Sequence, residues 1–490
     1  MRIKRWHLLI IIIVVLVLAT PFVTGLLFKH NYMNLIAAIN ANSQVKATVT
    51  DYQLGWFSSD ATLSLSFDNS VPTYPTNPPK EFALSFVMTV TQHITHGPIL
   101  YAPTEHTWRL AQANVLGVLH MPAQIEAAVL GSRAQEGSLQ LDLLSTFFHG
   151  YILKLREPSI NLQAGMENLT WQGLSGQMNF TLAEQHIHHM KSLVTIGALN
   201  ASTKAASMFS QPITTTTDIT YNADHLWEGS HTLLIPEIIL DVTQSESNYM
   251  LKNFRAAYFA SMSAPHLYNI RAQFTLDNFL SPAFEIGSSN LVLALSKLNA
   301  DAWNRFIQAV ETSPLPNPSH SPSQAMLDNL YILITPDTLI SEDVSLNSKN
   351  GILTSHGEAS WPQPINSLQD MMSKIKLKLS IRVSQSLIQK LITMNVPLTQ
   401  PTTQSNEVTP TVPANPYAYA YASATDTPPA NNTSETTYNN PSTSTLTQAR
   451  VDQWVQLGYL TVDKNDFITD ITYENGVVKA NGHEVNEAKH

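Results

Sequence analysis

The chain has 490 residues, a formal net charge of −10 (27 Lys and Arg against 37 Asp and Glu) and no cysteine. That balance lacks the basic footprint that phosphate recognition needs and argues against nucleic acid as a partner, while the missing thiols exclude disulfides, thiolate catalysis and Cys-ligated zinc or iron–sulfur centres. At 43% hydrophobic and 13% charged residues, about half the usual charged share of about 25%, the chain is expected to bury a sizeable core, in about two to four domains or one elongated architecture.

Residues 8–28 (LLIIIIVVLVLATPFVTGLLF) carry no charged side chain. A helix of that length crosses a hydrocarbon core of about 30 Å. Arg2, Lys4 and Arg5 precede it, which predicts a cytoplasmic segment 1–7, an anchor at 8–28 and an exported remainder. Pro21 is tolerated in such a span. The rival is a cleaved signal peptide with a poor cleavage site at residues 23–25. The absence of an A-x-A pattern and the continuation through Leu26, Leu27 and Phe28 favour the uncleaved anchor.

Past the anchor, residues 29–396 read as a β-rich body, divisible into two sub-lobes. Residues 61–67 (ATLSLSF) alternate with strand period. Residues 302–310 read as a helix with Asp301 as N-cap. Asn350-Gly351 predicts a hairpin turn. Residues 374–383 (KIKLKLSIRV) are the clearest strand, with Lys374, Lys376, Lys378 and Arg382 on one face and five aliphatic residues on the other. Residues 386–394 follow as a helix. Between 397 and 445 the sequence turns Thr-, Pro-, Asn- and Ser-rich, with only Glu407, Asp426 and Glu435 charged and a Tyr417-Ala418-Tyr419-Ala420-Tyr421 run. Such a stretch is expected to be a disordered insertion. Residues 446–490 complete the body with a helix over 451–457, capped by Gly458, and a hairpin turning at Asn475-Gly476.

Candidate chemistry is sparse. His93 and His96 are followed at once by Gly97-Pro98, and on a strand they point to opposite faces. His186 and His188 would share a strand face, with His189 beside them, but no further metal ligand can be assigned. Ser-x-x-Lys occurs at Ser43–Lys46 and Ser373–Lys376, without a K-T-G partner, and Asp224, Glu228 and His231 surround Trp227. No G-x-S-x-G, H-E-x-x-H, Walker A or G-x-G-x-x-G motif is present. We therefore assign no catalytic residue, no metal ligand and no cofactor.

Several short motifs occur in a fixed order. Tyr52-Gln53-Leu54-Gly55-Trp56-Phe57-Ser58-Ser59 follows the apolar segment, then His96-Gly97-Pro98. Weaker echoes lie at residues 169–174, 226–229 and 298–302. The last are Gly458-Tyr459-Leu460, Tyr473-Glu474-Asn475-Gly476 and Asn481-Gly482. Together they resemble the YdgA-like family of bacterial membrane-anchored proteins, a group of unknown function. The insertion at 397–445 departs from that pattern. The resemblance implies an inner-membrane protein of Gram-negative bacteria with its body in the periplasm, and leaves a homodimer open. It implies no activity. The residues that carry it (Tyr52, Gly55, Trp56, Phe57, Ser59, His96, Gly97, Pro98, Gly458, Tyr459, Asn475, Gly476, Asn481 and Gly482) read as structural turns and packed corners, with an exposed aromatic pair at the membrane interface or in a lipid groove as the alternative for Trp56 and Phe57.

The expected fold class is α+β and strand-dominated, with extended antiparallel sheets and interspersed helices, preceded by one transmembrane helix. The expected function is non-enzymatic: envelope structural or adaptor work, or binding of a lipid or other hydrophobic ligand along amphipathic strands. The partners are then the membrane and an envelope lipid or protein. The alternatives are an envelope hydrolase with a carboxylate or serine site, and an interaction protein working through the Tyr/Thr/Pro-rich insertion.

Overall fold

In the computed structural model the backbone is described except at 1–4, 43–44, 73–80, 103–105, 121–138, 165–166, 184–185, 244–246, 313–329, 395–442 and 486–490; side chains are described except at these residues and at 5–14, 16, 41–42, 67–72, 81–86, 102, 164, 309–312, 391–394 and 443–448. Nearly all of the expected insertion lies outside the described residues.

Helix α1 (Arg5–Asn42) leads into β1 (Val45–Leu54), β2 (Ser58–Pro72) and β3 (Glu81–His96), which pair in order. At Gly97 the chain leaves the sheet for a separate hairpin, β4 (Ile99–Ala102) and β5 (Thr107–Leu110), then returns as β6 (Ala113–His120), β7 (Leu139–Ser145) and β8 (Gly150–Glu157).

Strands then follow one another end to end. β8 runs into β9 (Ile160–Ala164), β10 (Glu167–Trp171) into β11 (Leu174–Ala183), β12 (His186–Ile196) into β13 (Leu199–Ser202), and β14 (Ala206–Ser210) into β15 (Ile213–Tyr221). Two ladders result, β8–β11–β12–β15 and β9–β10–β13–β14. They meet on β16 (Trp227–Val242), whose first half pairs with β15 and whose second half pairs with β14. β17 (Ser247–Ala264) pairs with β16 between Gly229 and Val242 and is followed by β18 (Leu267–Leu276), β19 (Asn278–Leu280) and β20 (Glu285–Asn299).

The remainder is α2 (Ala300–Thr312), β21 (Leu339–Ser348), β22 (Gly351–Ser360), α3 (Leu368–Lys374), β23 (Lys376–Ser384), α4 (Gln385–Met394), α5 (Thr443–Gln456), β24 (Thr461–Asp463), β25 (Asp466–Glu474), β26 (Val477–Ala480) and β27 (His483–Glu484). Among the described residues every pairing is antiparallel, and 25 strands share one sheet.

A seam separates the two ladders. The chain passes from one strand to the next at Pro158, Gly173, Gly197, Pro212 and Asp277, and at the same level the β16–β17 pairing skips Pro236 and the Asn253 opposite it. Proline cannot donate to a ladder and glycine weakens a strand, so a row of both breaks the pairing at one level. Hydrogen bonds across the seam hold it: Gly197 N–H donates to Gly173 O at 2.7 Å and Gln211 N–H to Glu237 O at 2.9 Å. Asn253 has φ +50° and its amide donates to Asp277 Oδ2 at 2.7 Å.

The largest core forms where α1 lies on β1–β3, β6–β8, β11 and β12. Phe28, Tyr32, Leu35 and Ile36 bury one side of the helix against Val90, Ile94, Val115 and Tyr151. Among the described residues, no helix is long and apolar enough to cross a membrane.

Three local expectations are corrected. Helix α2 starts at Ala300, and Asn299, rather than Asp301, caps it by accepting the Ala302 N–H at 2.9 Å. Lys374 is off the strand: it closes α3 and pairs with Asp370 at 2.9 Å, four residues back, because Ser367 caps a helix that the alternation hides. The β21–β22 turn is centred on Lys349-Asn350, since Ser348 pairs with Gly351. The Asn475-Gly476 turn has φ of +53° and +80°, as a type I′ turn requires.

Candidate functional site

The first motif group assembles at one end of the strands, around α1. Trp56 Nε1 donates to Leu18 O at 2.7 Å and its ring stacks on Phe22 at 5.1 Å. Thr24 Oγ1 donates to Gly97 O at 3.0 Å. Ser59 Oγ lies 2.8 Å from His96 Nε2, and both side chains are buried. Burial lowers the His96 pKa, against the opposing effect of its Trp56 carbonyl contact. Gly25 faces the His96 ring so closely that a Cβ would lie 2.4 Å from it, and a Cβ on Gly97 would meet Ala111 O at 1.8 Å. Tyr52 packs beside Tyr32, and Lys29 Nζ sits 4.9 Å over its ring. These residues clamp a helix to a sheet. Ser59 is shut inside that clamp, 2% exposed.

The second motif group builds the C-terminal turns. Gly458 (φ +75°) follows α5, and the Asn481 amide reaches the carbonyls of Gly458, Tyr459 and Ile468 while its Oδ1 accepts the Asp470 N–H at 2.9 Å. Tyr459 OH donates to Glu484 O at 3.0 Å, and Gly482 has φ +82°.

The histidine candidates disperse. His93 is exposed and pairs with Asp60 at 2.8 Å, on the face of β3 opposite His96. His189 contacts Thr220 and His231 contacts Thr217, while the ring of His186 packs against His225. Among the described residues no three His, Asp or Glu side chains converge as a metal site. Glu228 accepts the Met262 N–H at 3.0 Å, apart from His231. Lys376 pairs with Glu474 at 2.7 Å, away from Ser373, which bonds back to Asp370 O.

A different site emerges at the seam. The core face of β8 carries Tyr151, Leu153, Leu155 and then Glu157, two residues apart. Glu157 therefore stands in an apolar register. It lines a cavity of about 480 Å³ with Leu119 and Leu139 from one side of the seam and Ile160, Trp171, Met208 and Ile238 from the other. The volume is within the range of small-molecule sites. Glu157 is 7% exposed and is the one ionisable side chain among the described lining residues. Lys154 and Arg156 alternate onto the opposite face, so no cation offsets its burial. Desolvation alone pushes its pKa up to about 7. Leu119 and Leu139 also border the core under α1, so the cavity begins where that core ends. A second trough of about 980 Å³ adjoins it, lined by Asp142, Lys154, Arg156 and Gln177 and sharing Glu157, Leu174 and Gly197 with the cavity.

The motifs do not include Glu157. The sequence shows an acid two residues beyond Leu155 on an alternating strand, directly before a proline, without showing that this phase is the covered one. That phase shows only once the partner strands fix which face is covered.

The architecture is an antiparallel β meander that opens with a long helix. The profile of a bacterial family described as a protein of unknown function (DUF945) matches residues 4–488, and the chain belongs to that family. No curated protein and no solved structure matches the chain.

Proposed function

We propose that this is a non-enzymatic, membrane-anchored protein of the bacterial envelope that holds a hydrophobic ligand in the seam cavity. The observation that carries the reading is that cavity: apolar side chains from both ladders surround a concave space with a single carboxyl in its wall. A ligand with a long apolar part and a hydrogen-bonding head fits such a lining, with Glu157 as the polar contact. The uncharged run behind Arg2, Lys4 and Arg5 supports an inner-membrane anchor with a cytoplasmic N-terminus and a periplasmic body, its end drawn back from residue 28 because Thr24, Gly25 and Phe28 pack against the sheet. The YdgA-like resemblance agrees with that placement.

The test is mass spectrometry of organic extracts from the full chain, purified in mild detergent, beside an Ile238→Trp variant that fills the cavity. The expected result is a stoichiometric hydrophobic species in the wild type that is lost in the variant, with thermal unfolding retained. Equal recovery from both would assign the species to lipid around the helix, and none in either would end the ligand reading.

A further inference from the structure

The strands that hold Glu157 at one end finish at their other end in a rim. Four segments meet there: the Gly55–Phe57 turn between β1 and β2, the Gly97-Pro98 break after β3, Ala111-Gln112 before β6, and the turn at residues 146–149 between β7 and β8. Helix α1 runs antiparallel to β3. Tyr32 OH donates to Gln92 at 2.6 Å and Thr24 reaches Gly97, so falling helix numbers match rising strand numbers. β3 ends at His96, and the helix therefore continues past the rim before residue 24. The uncharged part of that extension, residues 8–23, is 16 residues and about 24 Å long at 1.5 Å per residue.

The rim presents apolar side chains to solvent around that exit. In the β4–β5 hairpin Ile99 pairs with Leu110 and Tyr101 with Trp108, so all four occupy one face. That face is open: Trp108 is 71% exposed and Leu110 73%. The other face is anchored, with Leu100 buried against Ala111 and Leu144. Phe148, at the tip of the neighbouring turn, is 90% exposed, and Trp56 and Phe57 are exposed beside the helix. Exposed apolar residues scattered singly need no explanation, but a group around the exit of an uncharged helix does.

We propose that this rim is a membrane-docking collar, whose β4–β5 face and Phe148 insert at the bilayer interface while α1 passes through the bilayer. The proposal rests on the anchor reading above. Its occupant is the lipid surface because the collar is continuous with the helix: Trp56 is bonded to α1 at Leu18, inside the uncharged run. Trp and Tyr beside aliphatic residues also match the composition of membrane–water belts.

The chain has no cysteine, so single labels are clean. The full chain carrying one environment-sensitive fluorophore is reconstituted into vesicles of phosphatidylethanolamine and phosphatidylglycerol. Labels go to Trp108→Cys, Leu110→Cys and Phe148→Cys in the collar, Val15→Cys in the helix, and Val462→Cys on β24 as an exposed apolar control. Nitroxide lipids quench at shallow or deep positions. The expected result is several-fold stronger shallow quenching at the collar labels than at Val462→Cys, with deep quenching at Val15→Cys. Collar labels as unquenched as the control, with Val15→Cys quenched, would overturn the collar and leave the anchor standing. An unquenched Val15→Cys would overturn the anchor and the collar with it. Collar labels shielded from lipid but cross-linking between copies would give the face to a second copy of the chain and overturn the proposal. The unlabelled Trp108→Ser chain gives an independent reading, since intrinsic fluorescence quenching by brominated lipid should fall relative to the wild type.

Discussion

At the residue scale, Glu157 and His96 give opposite pH dependences. Glu157 has a folded pKa raised from 4.5 to about 7 by burial, so the folded state holds its proton through that window and the unfolded state does not. Stability then falls as pH rises from about 4.5 to about 7 and is flat above, by up to about 3 kcal/mol for a shift of this size. Denaturant titrations across that range should show the decline in the wild type and lose it in Glu157→Gln; identical profiles would mean that the carboxyl is not desolvated in solution. His96 is held below its ordinary pKa, so its contribution is intact above about 6.5 and is lost as pH falls below that value. The clamp has a steric counterpart. Gly25→Val places carbon within the His96 ring contact and is expected to lower stability by about 1–3 kcal/mol, as overpacking does. Gly25→Val in a His96→Ala background should recover part of the loss, and no recovery would place the strain elsewhere.

At the element scale, the seam decides where the cavity lies. Strand junctions at proline and glycine fall at one level with the unpaired Pro236 and Asn253 of the continuous β16 and β17. The left-handed Asn253 is stitched to Asp277. Asn tolerates positive φ because its side chain bonds locally, whereas a β-branched residue does not. Asn253→Val is therefore expected to cost about 1–3 kcal/mol, and Asn253→Gly less. Equal midpoints in thermal unfolding for the two variants would show that the seam does not depend on that conformation. Proline at residues 158, 212 and 236 was visible in the sequence as isolated punctuation. Its alignment across neighbouring strands was not, because register is a property of pairs.

At the scale of the whole molecule, the chain is one continuous meander in which nearly every strand pairs with a near neighbour in sequence. The exception is β23 with β25, which join across the long connection: Arg382 Nε donates to Asp466 Oδ2 at 2.7 Å, and Ser380 Oγ to Asp470 at 2.6 Å. Helices α4 and α5 flank the connection, with Leu387 and Val451 buried. Deleting residues 400–440 shortens the stretch between these helices from 48 residues (395–442) to 7 (395–399 and 441–442). Loop-closure entropy then predicts stability unchanged or raised by about 1–2 kcal/mol. A large loss in chemical denaturation would show that the segment contributes contacts to the body.

Local chemistry made several features legible in the sequence alone. Alternation at 61–67 and 374–383 marked strands, the second of which starts at Lys376, because a half-buried ladder needs period two. Asn475-Gly476 marked a turn, because both positions need positive φ. The uncharged run at 8–28 marked a helix, and Gly458 marked the end of another. Tertiary structure decided what spacing cannot encode. It brought Gly25 against His96 and Trp56 against Leu18, though each pair is more than 35 residues apart. It moved Lys374 from strand to helix end, where a serine cap outweighed alternation. It also placed Glu157 in an apolar wall: whether an acid on a strand meets water or a cavity depends on which face its neighbours cover, and that is settled only when distant strands pair.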